Sequence, residues 1–447
     1  MIKLLINHEI NPTKIYKIFP IKIYYLCSAL NHTFNLKKEL VNKLKVLNDP
    51  IYGFIQIPNS LLFDLIEHPY FQRLRRISQM GFSNLVYPGA NHTRFHHAVG
   101  CVELMQKAVR VLRIKGIDIS IDEENALCIA ILLHDIGHGP FSHALEHSIV
   151  EGVSHEEVSL KFMKQLDIMF HGQLKLAIEI FQGTYHRKFF HQLISSQLDI
   201  DRLDYLKRDS FFTGVTEGNI SSDRLIAMMN VLNDFLVIEK KGIYSVEKFL
   251  IARRLMYWQV YLHKTGWIAE YMLVNILKRA KRLTEQGVAL SCSKALQFFL
   301  SNRITKDDFS NEVLKTFSRL DDYDIVSALK EWVDHTDQVL SNLSRMLVNR
   351  ELLKIEIHDT EISLHYISSL VAGFMKSSKL SENDAKYFVF AGQISNQAYS
   401  KENPIYILSK NGTLQDIAKA SDQLNLQALS EPVTKYFVCY PKELKLA

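Results

Sequence analysis

The sequence predicts a mainly α-helical protein with a small α+β subdomain at its C-terminal end. Three observations carry that expectation. An apolar run at residues 126–133 is preceded by a capping aspartate and followed by glycines and a proline. Further helical patterning continues to about Arg350. From Leu353 the pattern shifts to short β-branched and aromatic runs at residues 355–357, 386–390, 405–408 and 435–440. The expected organisation is an N-terminal extension over residues 1–42, a helical core over 43–350 and the α+β subdomain over 351–447.

The chain has 447 residues, enough for a large core. Its 47% apolar and 23% charged content is ordinary for a globular protein. A net charge of +5 suits an anionic substrate or nucleic acid without requiring either. The five cysteines are scattered and form no CxxC pair, as expected of reduced thiols in a cytoplasmic protein. No stretch is long and apolar enough to suggest a membrane span. Residues 15–30 are apolar, but Lys17, Pro20 and Lys22 interrupt them. That leader reads better as a variable extension or an over-long gene start than as a signal peptide.

In chain order, residues 51–57 alternate like a strand or hairpin arm. Asn59 or Ser60 caps a helix over 61–67, and Pro69 opens another over 70–80. Arg73, Arg75 and Arg76 lie among its apolar positions, a pattern that is usually a solvated face. After the turn at residues 87–91, a long amphipathic helix runs from Arg94 to about Arg113. Asp122 is the expected cap of the helix over the apolar run. Ser154 and Glu157 form a capping box. Residues 249–277 read as one long helix with Arg253, Tyr257, Tyr261 and Lys264 on a face.

Two stretches carry chemistry. The apolar run ends in His134-Asp135, and His138 and His143 follow within ten residues. A lone His-Asp pair is usually a helix end with solvated side chains. Three histidines and an aspartate directly after a buried run point instead to metal ligation, since imidazole and carboxylate are ligands of mixed hardness. Gly137, Gly139 and Pro140 break the helix, so His143 is expected near a new helix start. The second stretch is residues 197–209. On a helix, Asp201, Tyr205 and Asp209 fall on one stripe. Two carboxylates and a phenol there repel unless a cation or a hydroxyl-rich ligand answers them.

Taken together, His97, His134-Asp135 and Asp201 resemble the H…HD…D signature of the HD-domain metal-dependent phosphohydrolases. The ordered set around them is similar to the dNTP triphosphohydrolase (dGTPase-like) branch: Asn48-Asp49-Pro50 with Gly53, residues 71–75, residues 88–90, Arg94-Phe95, residues 134–143 and residues 201–209. The resemblance is strong over residues 43–264. It implies an HD-domain helical core and one divalent metal on His97, His134, Asp135 and Asp201. That donor set suits Mn, Fe, Zn, Co or Ni; Mg is possible, also with substrate phosphates. It implies hydrolysis of a dNTP at the α-phosphate, giving deoxynucleoside and triphosphate. His143, oriented by Glu146, matches the general acid, and His138 and His155 match further active-site histidines.

The resemblance also gives Arg94, Arg202, Tyr205 and Arg253 to the triphosphate, and Gln79 and Asp209 to the sugar 3′-hydroxyl. Tyr261 excludes a 2′-hydroxyl. Arg202 replaces a lysine of the animal members and Tyr257 a histidine, which leaves base preference open. Some members are dimers or tetramers activated by nucleotides. Lys45, Asn48, Glu67, Gln72 and Arg75 match one regulatory pocket, and Val86, Tyr87, His263 and Lys264 parts of a second. Single-stranded nucleic acid as a partner has no support in the residues. Two other readings stay open. One is an HD phosphohydrolase of nucleoside monophosphates, cyclic dinucleotides or guanosine tetraphosphate. The other is a non-catalytic nucleotide sensor.

Overall fold

A computed structural model describes residues 45–141, 150, 152–422 and 431–444. Leu47–Ala447 forms one compact unit. The hairpin β1 (Lys45–Asp49) and β2 (Gly53–Ile57) precedes helix α1 (Ser60–Glu67). Asn59 caps α1, its side chain accepting from the Leu62 N–H. No continuous helix follows. Pro69–Gln72 makes one turn and Arg73–Arg76 tightens to 3-10 geometry, so the helix expected over 70–80 is corrected to two short turns. The arginine there that was read as a solvated face is not one: Arg73 is fully buried. Its guanidinium donates to the Ile136 and Leu320 carbonyls and lies over Phe317.

The core is built on α2 (Arg94–Ile114) and α3 (Ile121–Leu133), which pack against each other. Every residue of the apolar run 126–133 is buried. Ser120, not Asp122, caps α3; Asp122 adds charge to its acidic first turn. The Ser154–Glu157 capping box opens α4 (His155–Met169) as expected. Asp199 caps α5 (Ile200–Thr213), which packs on α2 and ends at Gly214 in the left-handed region. Gln197, just ahead of α5, exchanges hydrogen bonds with the backbone of Ser400 and Asn403.

The long helix expected over 249–277 is three pieces. α6 (Ile243–Met256) runs into a π-turn over Tyr257–Tyr261, and His263 caps a fresh helix, α7 (Lys264–Glu285). The π-turn is closed by the Leu262 N–H donating to the Tyr257 carbonyl at 2.8 Å. Later helices include α8 (Asp322–Trp332), and helical structure continues to Val348. The C-terminal part has helix α9 (Leu364–Ser378) against the antiparallel order β5-β9-β6, from Lys354–His358, Val433–Tyr440 and Phe390–Asn396. The strand expected over 386–390 is therefore shifted; only Phe390 belongs to one.

A second sheet joins distant parts of the chain. β3 (Met229–Leu232) and β4 (Phe235–Glu239) form a hairpin, β7 (Tyr406–Leu408) adds in parallel to β4, and β8 (Leu414–Asp416) closes it. The hairpin turn is Asn233-Asp234, both at positive φ. Mainly helical with small sheets, the fold is the one the sequence predicts. Among the described residues, no helix is long and apolar enough to cross a membrane.

Candidate metal centre

Three helices deliver the side chains. Thr93 caps α2, so His97 lies one turn in, fully buried and against Asp204 of α5. His134 caps the C-terminal end of α3, and the turn beyond it holds Asp135 and His138. Asp201 lies in the first turn of α5. The turn after α3 is clamped onto α4. The Gly137 N–H donates to Ser159 Oγ at 2.8 Å, and that hydroxyl donates to the His134 carbonyl at 2.7 Å. A Cβ on Gly137 would stand 2.2 Å from the His155 carbonyl oxygen, so only glycine permits this approach.

Donor atoms of His97, His134 and Asp201 all lie within 4.8 Å of one another. His97 Nε2 is 3.1 Å from Asp201 Oδ1 and 3.8 Å from Asp135 Oδ2. His134 Nε2 is 3.5 Å from an oxygen of each aspartate. Donors bound about 2.1 Å from one ion stand roughly 3.0–3.5 Å apart, so this group can hold one. The far nitrogens support that reading. His97 Nδ1 is 2.8 Å from Asp204 Oδ2, and His134 Nδ1 is 2.6 Å from the Ile131 carbonyl. Protons held there leave both Nε2 lone pairs aimed at the aspartates. His134 Nε2 is buried with no hydrogen-bond partner among the described residues.

Charge balance points the same way. Burial opposes ionisation of Asp135, but His134, His138 and Arg94 overcome it and hold the carboxyl well below its usual range. Asp201 behaves alike, through His134 and His97. Burial opposes the His134 cation as well, yet Asp135 and Asp201 raise its pKa. Two carboxylates beside two imidazoles favour positive charge between them, and a divalent ion can supply it. Asp135 is also shared, because Arg94 Nη1 is 2.5 Å from Oδ2 and His138 Nε2 is 3.2 Å from Oδ1. Burial and Arg94 push His138 down to about 3. Its ring stacks on His155, centroids 3.9 Å apart.

Further polar side chains lie along α5 and the π-turn. Arg202 is tied to Asp199 at 2.7 Å, with its Nε buried and without a partner among the described residues. Arg253 Nε and Nη1 and Gln79 Oε1 are likewise buried without partners among the described residues. Arg253 lies near the Tyr257 ring, and the Tyr257, Tyr261 and Tyr205 rings meet edge to face. Asp209 accepts from the Tyr261 hydroxyl at 2.8 Å and contacts His92 Nε2 at 2.7 Å. Nothing in the sequence assigned His92 a role: it falls between the turn at residues 87–91 and the helix that begins at Arg94.

His143 and Glu146 lie outside the described residues. Lys264 is not on a face with Tyr261. It opens α7 and, with His263, Trp258 and Lys435, lines a cavity of about 260 Å³. Tyr87, next to Val86, stands edge-on to His263 and donates to the Gln259 carbonyl. Gln72 accepts from Arg75 at 2.9 Å, and burial lowers the Arg75 pKa against the opposing pull of Glu67. Asn48 and Lys45 are exposed on β1.

A helical core with a His/Asp group at the meeting of three helices defines an HD-type protein, and residues 94–209 match the HD domain family. Residues 220–297 match the HD associated region. The chain belongs to the HD-domain phosphohydrolase family. An uncharacterized protein of Bacillus subtilis is 32% identical over 90% of this chain and 93% of its own length. The human deoxynucleoside triphosphate triphosphohydrolase SAMHD1 is 29% identical, covering 56% of this chain and 47% of its own. The crystal structure of a phosphohydrolase from Bacteroides thetaiotaomicron is 52% identical, covers 89% of this chain and 100% of that one, and superposes with a TM-score of 0.86.

Proposed function

We propose that the protein is a metal-dependent deoxynucleoside triphosphate triphosphohydrolase that releases triphosphate and a deoxynucleoside. One observation carries the reading. Beside a group that fits a cation, the Arg202 and Arg253 guanidiniums hold buried N–H groups with no partner among the described residues. A desolvated donor without an acceptor is costly, and a polyphosphate answers several at once. That SAMHD1 proteins of animals and of Dictyostelium discoideum are named for this activity supports the choice of a dNTP.

In this reading His97, His134, Asp135 and Asp201 hold one divalent ion, which when bound polarises the α-phosphate and lowers the pKa of water. Arg94, Arg202, Tyr205 and Arg253 grip the triphosphate, with Tyr257 beside them. His138, neutral and donating to Asp135, keeps Nδ1 as an acceptor for a water proton, with His155 stacked behind it. His143, with Glu146, gives the proton to the leaving 5′-oxygen. Asp209 accepts from the sugar 3′-hydroxyl, and the Gln79 amide nitrogen donates to its oxygen. The Tyr261 ring, fixed by its bond to Asp209, fills the space a 2′-hydroxyl needs. Regulation by nucleotides in a homo-oligomer, at the residues named from the resemblance, belongs to the same proposal.

The test is a panel of the four dNTPs, singly and mixed, with Mn or Mg, products separated by chromatography. Triphosphate with deoxynucleoside is expected. Orthophosphate as the first product, or no turnover in any mixture, refutes the proposal.

A further inference from the structure

Behind the metal group lies a second buried cluster. His97 Nδ1 meets Asp204 Oδ2 at 2.8 Å. Arg208 grips Asp204 with two parallel bonds, Nε to Oδ2 at 2.9 Å and Nη2 to Oδ1 at 3.0 Å. Its third nitrogen, Nη1, donates to Asp49 Oδ2 at 2.7 Å. The other Asp49 oxygen accepts from the backbone N–H of Ile51 at 2.9 Å and of Tyr52 at 3.0 Å, which closes the β1–β2 turn. The Asp204 and Arg208 side chains are 0% exposed and that of Asp49 4%.

The cluster is fitted into α2. Asp204 and Arg208 stand at i and i+4 on the face of α5 turned to that helix. A Cβ on Gly100 would come within 2.1 Å of Arg208 Nη2 and 2.3 Å of Asp204 Oδ1. Gly100 is one turn beyond His97. One helix therefore supplies both the imidazole and the gap in which its carboxylate partner is gripped.

Two carboxylates and one guanidinium leave a net negative charge away from water. Such a charge is costly unless a positive group answers it. The His97 ring touches this cluster with one nitrogen and the metal group with the other. His134 differs, because its far nitrogen meets only a neutral carbonyl. A carboxylate behind an imidazole strengthens it as a ligand and fixes its ring plane. The guanidinium fork fixes the plane of the carboxylate in turn.

We propose that Asp204 is a positioning residue for metal binding at His97, and that Arg208 and Asp49 tie its orientation to the β1–β2 turn. This rests on the metal reading of His97 given above. The turn geometry then sets the affinity of an ion that the hairpin never touches.

The test titrates Co(II) into metal-stripped, full-length protein, read by its visible absorption, with the melting temperature of the metal-free form measured alongside. For Asp204→Asn the Kd for Co(II) is expected to rise about 10–100-fold. For Arg208→Lys and Asp49→Asn it is expected to rise less, about 3–10-fold, in that order. Asp204→Asn leaves Arg208 against Asp49, a neutral buried pair, which favours folding. If it does not accumulate, Asp204→Glu keeps the charge, displaces the carboxylate and carries the same test, with at least about a 3-fold rise expected. A lowered melting temperature with unchanged Kd in the folded variant overturns the proposal, since that is what a purely structural role produces. Wild-type protein that binds no Co(II) defeats the metal reading itself. Loss of binding in His134→Ala with none in Asp204→Asn defeats only the positioning role.

Discussion

The metal group and the cluster around Glu356 are both knots of charge, and they differ in what they leave unanswered. Glu356 on β5 accepts from Lys354 at 2.9 Å, from Tyr366 of α9 at 3.1 Å and from Tyr440 of β9. Lys354 in turn donates to the Tyr440 hydroxyl at 2.7 Å. Its groups are paired with one another, and its lysine is half exposed. Around His134 the opposite holds. Buried nitrogens of His134, His138, Arg202 and Arg253 have no hydrogen-bond partner among the described residues. A satisfied cluster ties strands together; an unsatisfied buried one is shaped for something that arrives later.

The comparison can be broken most sharply at the metal group. His134→Ala or Asp135→Ala should lose bound metal and lower turnover by on the order of 10³-fold or more. Metal analysis and product chromatography check both; full turnover after metal loss would end the assignment. Arg253→Ala should raise KM for dNTP about 10–100-fold while the unliganded protein melts no lower, because a buried donor without an acceptor has been removed. A lowered melting temperature with unchanged KM would place Arg253 among the structural groups instead. Tyr440→Phe should do the reverse, costing about 1 kcal/mol in chemical denaturation with kcat/KM unchanged.

The smallest effect is one of pH. Hydrogen bonds from Tyr440 and Lys354 lower the Glu356 carboxyl from its ordinary 4.5 to about 2. A carboxyl depressed by folding contributes stability above its unfolded pKa and loses it as pH falls through the folded one. The stability gap between wild type and Glu356→Gln should therefore narrow between pH 4.5 and about 2. A gap independent of pH would remove the charge from the account.

The fold class was legible because long periodic segments and an eight-residue apolar run leave few alternatives. That His134 and Asp135 stand together with His97 and Asp201 was legible in part for a different reason, since the adjacent pair can be read along the chain. Asp204, Arg208 and Asp49 were not, because their meaning lies in contacts between α5, α2 and the β1–β2 turn. The π-turn at Tyr257–Tyr261 hides in residues that would continue a helix, and only tertiary packing breaks them there. The β3–β4 hairpin had a local signal that went unread. Asn233-Asp234 suits a two-residue turn with both φ values positive, between runs of four and five strand residues.

The parallel addition of β7 to β4 has a consequence for synthesis. A ribosome releases the Met229–Glu239 segment long before Tyr406–Leu408. Until then the outer edge of β4 offers bare N–H and C=O groups, to which a neighbouring nascent chain can add a strand. Ser400 and Asn403, which brace Gln197 ahead of the helix bearing Asp201, emerge equally late. That helix therefore receives this support only after residues 400–403 have been made.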